Sequence, residues 1–233
     1  MKKGSKFFSL LTSVSLVLFL LTGAVAVPIL WRGFYYGQID ALSLPARTGF
    51  SPEIIREAFD QVMDYLVKGA EFGTGSLRWS DSGMAHFADC RALFRLDFLV
   101  LEISATILAA VFILVVTKKL TLYRFGNRGP CFWAFVGMGG LVLILGAWGV
   151  IHFESLFTAF HTLCFPGKEN WIFDYRYDQI ILILPEDFWA RAAALVAGLA
   201  FGTGAVLAVI EALFHRVCKP KSVYEEIRGM EGK

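Results

Sequence analysis

Four long apolar runs dominate the hydrophobic pattern of the chain. They cover about residues 7–31, 96–117, 131–151 and 188–214. A helix rises about 1.5 Å per residue, so roughly 20 apolar residues are enough to cross the hydrocarbon part of a bilayer. The pattern therefore predicts an all-α integral membrane protein with four transmembrane helices.

The segments between the runs differ in length and polarity. Residues 32–95 and 152–187 are long, polar in part and rich in aromatic side chains, whereas the 118–130 segment is short. Irregular, partly polar backbone of this kind lines a cavity or lies at the membrane interface. We expect a single membrane domain over residues 1–221, with residues 32–95 and 152–187 forming a cap of short helices and loops, and a charged tail at 222–233.

Lysine and arginine residues indicate the orientation of the helices. They flank the first run, fill the short 118–130 segment and follow the fourth run: Lys2, Lys3, Lys6, Lys118, Lys119, Arg124, Arg128, Arg216, Lys219 and Lys221. Such residues remain on the cytoplasmic side of a membrane. Both termini are therefore predicted to be cytoplasmic, and the cap is predicted to be extracytoplasmic.

The composition supports a membrane protein and argues against other classes of protein. Of the 233 residues, 56% are hydrophobic and 15% are aromatic, which exceeds the usual apolar share of soluble domains. Basic residues form no separate domain, so nucleic-acid binding has no support. The first run could be read as a cleavable signal peptide, but it is longer than a signal core of about 7–15 residues and suits a retained span.

Local signals predict further structure. Ser51, followed by proline, starts an amphipathic helix that Gly69 ends. Another helix is predicted to start near Ser80 or Ser82 and to continue into the second run. A G-x-x-x-G motif at 198–202 is predicted to let the fourth span pack closely against a neighbour.

Two stretches carry candidate chemistry, and the first contains His86. On a helix, Asp89 and Cys90 share a face with His86, and a carboxylate at this spacing can accept the ring N–H and raise its basicity. The plain alternative is a solvent-exposed polar face. Glu102 lies inside the second run, where an acid faces the bundle interior or a wet cavity, or reaches back to the interface.

The second stretch surrounds His161 with aromatic residues between positions 157 and 173. A histidine that only stacks on aromatic rings at the membrane interface would give the same sequence pattern. Two histidines, each in an acidic or aromatic setting, nevertheless indicate that the two stretches meet in one site at the outer membrane surface. Arg91 and Arg191 lie near that boundary, where they could bind headgroup oxygens or anchor the helices.

The cysteines leave alternatives open. Cys90 and Cys164, together with the two histidines, would supply a zinc-like set of ligands, although the spacing is not specific. The two thiols could also form a disulfide or stay unpaired. No serine elbow, HExxH motif or phosphate loop occurs in a workable setting. We expect neither a metal nor a cofactor.

With both stretches in view, the sequence resembles the lipoprotein intramolecular transacylase (Lit) family of small bacterial integral membrane proteins. The resemblance covers most of the chain in topology. It is sharpest in three motifs: His86-x-x-Asp89, Phe160-His161 through Trp171-x-Phe173-Asp174, and Asp178-x-Ile-Ile-x-Ile-Leu-Pro185-Glu-x-Phe188. It implies an acyltransferase of the bacterial cell membrane whose partners are the diacylglyceryl N-terminus of a lipoprotein and the phospholipid bilayer.

The resemblance also implies a reaction and residue roles. The sn-2 acyl chain would move to the α-amino group of the N-terminal cysteine, leaving a lyso-form lipoprotein. His86 would be the general base, oriented by Asp89, and His161 the partner acid or oxyanion stabiliser, or the reverse. The expected loop-shaping or headgroup-binding residues are Trp171, Asp174, Asp178, Arg91 and Arg191. A non-catalytic scaffold or lipid-binding protein, or a metal- or haem-binding membrane protein, remains an alternative.

Overall fold

The computed structural model describes residues 4–217, and this part of the chain is helical. Its nine α-helices are α1 (Lys6–Leu30), α2 (Arg32–Ala41), α3 (Leu44–Thr48), α4 (Pro52–Met63), α5 (Asp81–Val116), α6 (Pro130–Ile151), α7 (Phe153–Cys164), α8 (Ile180–Ile183) and α9 (Glu186–Val217). A π-helical turn, Asp64–Lys68, extends α4. Lys2, Lys3, Cys218, Lys219, Lys221 and the predicted 222–233 tail lie outside the described residues.

Four of the described helices, α1, α5, α6 and α9, are long and apolar enough to cross a membrane. This agrees with the all-α, four-span fold predicted from the sequence. The predicted 96–117 run forms the second part of α5. With 36 residues, α5 is roughly 54 Å long, so it extends well beyond a hydrocarbon layer of about 30 Å. Its first turns, which carry His86, therefore belong to the cap.

Helix α1 is central to the bundle and packs against α5, α6 and α9, while α6 and α9 also pack against each other. Ala200 is buried in the small bundle core, and Gly204 lies against Met138 of α6. The predicted close packing at Gly198 and Gly202 is wrong, because both are exposed and face open space. A step of two residues rotates the side-chain direction around a helix by about 200°. The face with Ala200 and Gly204 therefore meets α6, whereas the face with Gly198 and Gly202 points away from it.

At the end of the bundle opposite the cap, backbone and carboxylate contacts hold the helix ends and the 118–129 segment together. The N–H of Ser5 donates to the carbonyl of Thr121 at 2.8 Å, which ties the start of α1 to the short 118–129 segment. Glu211 of α9 accepts from the N–H groups of Cys131 and Phe132 at 3.4 and 3.3 Å. A carboxylate therefore satisfies donors that the start of α6 leaves free.

The cap has its own apolar core. Ser51 accepts from the N–H of Ile54 at 3.4 Å, and Gly69 ends the π turn with φ +80°, so the predicted start and stop of this helix are confirmed. The apolar face of α4 is buried against α2 and α8. Tyr35 stacks on Phe59 with centroids 3.7 Å apart, while the Tyr35 hydroxyl donates to the carbonyl of Ile183 at 2.8 Å.

Candidate active site

The position of His86 follows from how α5 begins. Ser80 caps the helix, as predicted, and its hydroxyl accepts from the N–H of Gly83 at 3.0 Å. The buried carboxylate of Asp178 accepts from both the N–H and the hydroxyl of Ser80, each at 2.8 Å. Residues almost one hundred positions apart thus fix the helix start, and His86 follows in the second turn.

Gly83 is required at this start because an added Cβ would overlap Oδ1 of Asp178. We expect Gly83→Ala to lower the free energy of unfolding by about 1–3 kcal/mol through overpacking. Thermal unfolding of the purified protein in detergent measures this change. Gly37→Ala is the matched control, because Gly37 lies on the exposed side of α2 and faces open space. Equal unfolding temperatures for the two variants would contradict the expected overlap.

His161 lies in α7, which follows α6 directly. Its Nδ1 donates to the carbonyl of Phe157 at 2.8 Å. A carbonyl can only accept, so in the neutral ring Nδ1 carries the proton and Nε2 carries the lone pair. The ring is 8% exposed and packs against Phe157 and Trp171, with centroids 4.0 and 4.9 Å away.

The structure brings the two histidines together. The centroids of His86 and His161 are 5.9 Å apart and the rings are inclined by 31°. Phe165 contacts both rings, at 5.0 and 5.8 Å, and Phe173 lies 5.4 Å from His86. The histidine pair is therefore enclosed by aromatic side chains.

One nitrogen of His86 is available inside this enclosure. Nε2 lies 3.3 Å from the sulfur of Cys90, one turn further along α5. Nδ1 is buried and has no hydrogen-bond partner, while the whole residue is only 6% exposed. A buried polar atom without a partner is costly in a structural role, so Nδ1 is a candidate for contact with a ligand.

Burial keeps both rings uncharged. It lowers the pKa of His86 to about 4, and the facing His161 and nearby Lys168 act in the same direction, while Asp89 opposes them. Burial also lowers the pKa of His161, against the effect of the Phe157 carbonyl. At neutral pH the pair therefore offers lone pairs rather than positive charge.

The predicted hydrogen bond from His86 to Asp89 is absent. Asp89 instead accepts from Lys168 at 2.5 Å and from Asn170 at 3.1 Å. The helical spacing does place Asp89 beside His86, but a full positive charge from the 165–173 loop competes more strongly for the carboxylate than a neutral ring N–H. The prediction that Asp89 orients His86 is therefore wrong.

The other predicted loop residues lie close to the pair or to its supports. Trp171 covers His161, and its indole N–H donates to the carbonyl of Lys168 at 2.9 Å. Asp174 accepts from the backbone and guanidinium of Arg176 and so closes a tight turn. Asp178, described above, holds the start of α5.

Three predicted residues do not contact the pair in the described structure. Glu102 is exposed, so of the alternatives that the sequence left open, the bundle interior does not apply. Helix α5 packs against α1 through its other side, on which Ser104 is buried. Arg91 lies over the ring of Tyr65, 4.9 Å from its centroid. Arg191 donates to the side chain of Gln38 at 3.0 Å and thereby ties α9 to α2.

Metal and thiol alternatives gain no support from the geometry. Within residues 4–217, no group of three or more histidine, cysteine or acidic side chains is placed to hold a metal ion. Cys90 and Cys164 are free thiols. An open depression of about 650 Å³ beside the first turns of α7 is lined in part by His152, Glu154 and Glu186, but by neither histidine of the pair.

Sequence reasoning missed Lys168 and Asn170. The available signal was the Pro166-Gly167 dipeptide, which favours a chain reversal and sends the following residues back over the preceding element. The turn is present, with Gly167 at φ +73° and the N–H of Lys168 donating to the carbonyl of Phe165 at 3.1 Å.

The described part of the chain thus combines four candidate membrane spans with a cap that encloses a pair of imidazoles, as in a polytopic membrane protein. The sequence matches the family model described as "Lipoprotein intramolecular transacylase Lit" over residues 10–189. The chain belongs to this family, and it is therefore a membrane acyltransferase. No protein with a curated description matches the sequence significantly.

Solved structures of the lipoprotein intramolecular transacylase Lit from Bacillus cereus share the fold. One matches with a TM-score of 0.82 and 23% identity, covering 90% of this chain and 95% of the other. Two more carry a histidine-to-arginine or a histidine-to-alanine substitution. They match with TM-scores of 0.75 and 0.76 at 23% identity, covering 90% of this chain and 91% and 93% of theirs. These matches confirm the prediction of an all-α integral membrane protein.

Proposed function

We propose that the protein moves the sn-2 acyl chain of a diacylglyceryl lipoprotein to the α-amino group of the same molecule's N-terminal cysteine. The product is the lyso-form lipoprotein. The observation that carries this proposal is the closed, uncharged histidine pair, in which Nδ1 of His86 is buried without a partner.

The chemistry is balanced without a cofactor. The amine nitrogen forms an amide bond to the acyl carbon, the ester bond to the glyceryl oxygen breaks, and one proton passes from the nitrogen to that oxygen. Replacing an ester by an amide is favourable, so no activated donor is required. Both reacting groups belong to one substrate, and the protein's main task is to hold them at attacking distance.

The ring nitrogens suit this proton transfer. In the tautomer in which Nε2–H of His86 donates to the Cys90 sulfur, Nδ1 presents a lone pair, and Nε2 of His161 presents another. A neutral amine can donate one N–H to each. His86 then accepts a proton as general base, and the pair returns a proton to the glyceryl oxygen. Neutral His161 has no free N–H for an oxyanion, so the proton-transfer role fits it better.

The aromatic enclosure supports the same proposal. An amine must be uncharged to attack, and transfer into a site walled by Phe165, Trp171 and Phe173 disfavours its ammonium form. Excluding water also limits hydrolysis of the ester, which would otherwise compete with acyl transfer.

We place this reaction on the extracytoplasmic face, with both termini in the cytoplasm. The support is the distribution of basic residues, since Lys118, Lys119, Arg124 and Arg128 lie in the segment at the end of the bundle opposite the cap. Positive charge at that end is typical of the cytoplasmic side.

The test is conversion of a synthetic diacylglyceryl lipopeptide by the purified protein in lipid nanodiscs. An intramolecular transfer leaves the mass unchanged, so fragmentation must show acylation at nitrogen and a free sn-2 hydroxyl. A mixture of substrate with deuterated acyl chains and substrate with a ¹⁵N-labelled peptide should give no crossed product. Crossed products would contradict the intramolecular route, and unchanged substrate would favour a non-catalytic scaffold.

A further inference from the structure

Asp89 is the anionic side chain closest in sequence to His86, yet both of its oxygens are engaged elsewhere. Oδ1 accepts from the ammonium of Lys168 at 2.5 Å and Oδ2 accepts from the amide of Asn170 at 3.1 Å. The Asp89 side chain is 22% exposed, whereas that of Lys168 is 50% exposed. The pair thus lies at the edge of the site, between solvent and the enclosed rings.

The turn at residues 165–168 connects this ion pair to both histidines. Pro166 and Gly167 occupy its corners, and the positive φ of Gly167 matches the second corner of a type II turn. Phe165, at the start of the turn, contacts both rings. The backbone carbonyl of Lys168 accepts from the indole of Trp171, which covers His161.

The groups that face His86 come from three elements. Asp89 and Cys90 lie on its own helix, His161 comes from α7, and Lys168 comes from the following loop. Of these, only Asp89 and Lys168 carry charge at neutral pH. Their charges act on the ring in opposite directions, so the balance between them adjusts a protonation equilibrium that burial mainly sets.

We propose that Lys168 is a positioning residue of the site: by pairing with Asp89 it withholds that carboxylate from His86 and thereby extends to lower pH the range over which the buried imidazole stays uncharged. A free carboxylate one turn from a histidine would favour the imidazolium. Protonation would occupy the lone pair of Nδ1, the atom that has no partner. The consequence for turnover rests on the proposed acyl transfer, but the charge balance itself does not.

The decisive experiment is a titration of His86 by NMR in ¹⁵N-histidine-labelled protein in nanodiscs. Lys168→Met leaves Asp89 unpaired and should raise the midpoint of His86 by about one to two pH units. Asp89→Asn/Lys168→Met removes both charges and should return the midpoint close to the wild-type value. Asp89→Asn alone should move it downward, and Lys168→Arg should preserve it.

Lys68→Met is the matched control, because Lys68 pairs with Asp64 at 2.9 Å in another part of the cap. It should leave the His86 titration unchanged. An unchanged midpoint in Lys168→Met, or one that stays raised in the double variant, would overturn the proposal. If Lys168→Met does not fold, the direction of the shift in Asp89→Asn decides the question.

Turnover provides a second readout. In Lys168→Met, the ratio of the rate at pH 5 to the rate at pH 7 should fall roughly twofold to tenfold below the wild-type ratio, as a shift of about one to two pH units requires. The double variant should recover most of the wild-type ratio. The titration needs no turnover, so an inactive wild-type protein would count against the acyl transfer and not against the role of Lys168.

Discussion

Replacing either histidine of the pair with asparagine should lower conversion of a diacylglyceryl lipopeptide by about 10²–10⁴-fold, the contribution expected of a positioned acid–base group. Asparagine retains polarity and fits the space, but it has no titratable nitrogen. His86→Asn removes the unpartnered Nδ1, and His161→Asn removes the Nε2 lone pair that the Phe157 carbonyl defines. Fragmentation of the lipopeptide before and after incubation measures the rate.

His152→Asn is the control for this pair of variants. His152 is exposed at the junction of α6 and α7 and has no contact with the aromatic enclosure. Its conversion rate should match that of the wild type, with equal amounts of folded protein in every sample. A near-normal rate in either His86→Asn or His161→Asn would remove that ring from the proposed proton transfer.

Asp178→Ala should produce the largest loss of stability among the cap residues. It deletes two hydrogen bonds to Ser80 and leaves the half-buried N–H and hydroxyl of that residue without their acceptor. The expected cost is about 2–4 kcal/mol in the free energy of unfolding, since hydrogen bonds to a charged group are among the stronger ones. Conversion should also fall, because the start of α5 positions His86.

The comparison for this variant is Asp174→Ala. Asp174 lies in the same loop, but its carboxylate pairs only with the exposed Arg176. The loss of stability should therefore be much smaller than for Asp178→Ala. Thermal unfolding in detergent measures both. Similar unfolding temperatures for the two variants would show that Asp178 does not hold the helix start.

Features that depend on neighbouring residues could be predicted from the sequence. Ser51 and Ser80 were recognised as helix starts because a hydroxyl followed by helix-forming residues can satisfy a free backbone N–H. Gly69 was recognised as a stop because its positive φ suits glycine. The meeting of His86 with His161 was also predicted, although it rested on the unusual setting of each residue and on the family resemblance.

Features that depend on distant partners could not be predicted. Asp89 is 79 positions from Lys168, and no local rule connects them, whereas helical spacing connects Asp89 with the nearby His86. The side of the span that Glu102 faces could not be predicted for a related reason. Hydropathy gives the depth of a residue in a span, but only the packing of α5 against α1 decides which side faces the bundle.

The unbroken course of α5 has a mechanical consequence. One rigid rod carries His86 at one end and crosses the bilayer with the other, whereas His161 lies on a short helix separated from α6 by the break at His152. Bilayer thickness is one influence on the tilt of a spanning helix, beside its packing against neighbouring helices. A change in the tilt of α5 relative to α6 would move His86 relative to His161, so we expect the distance between the two imidazoles to respond to bilayer thickness.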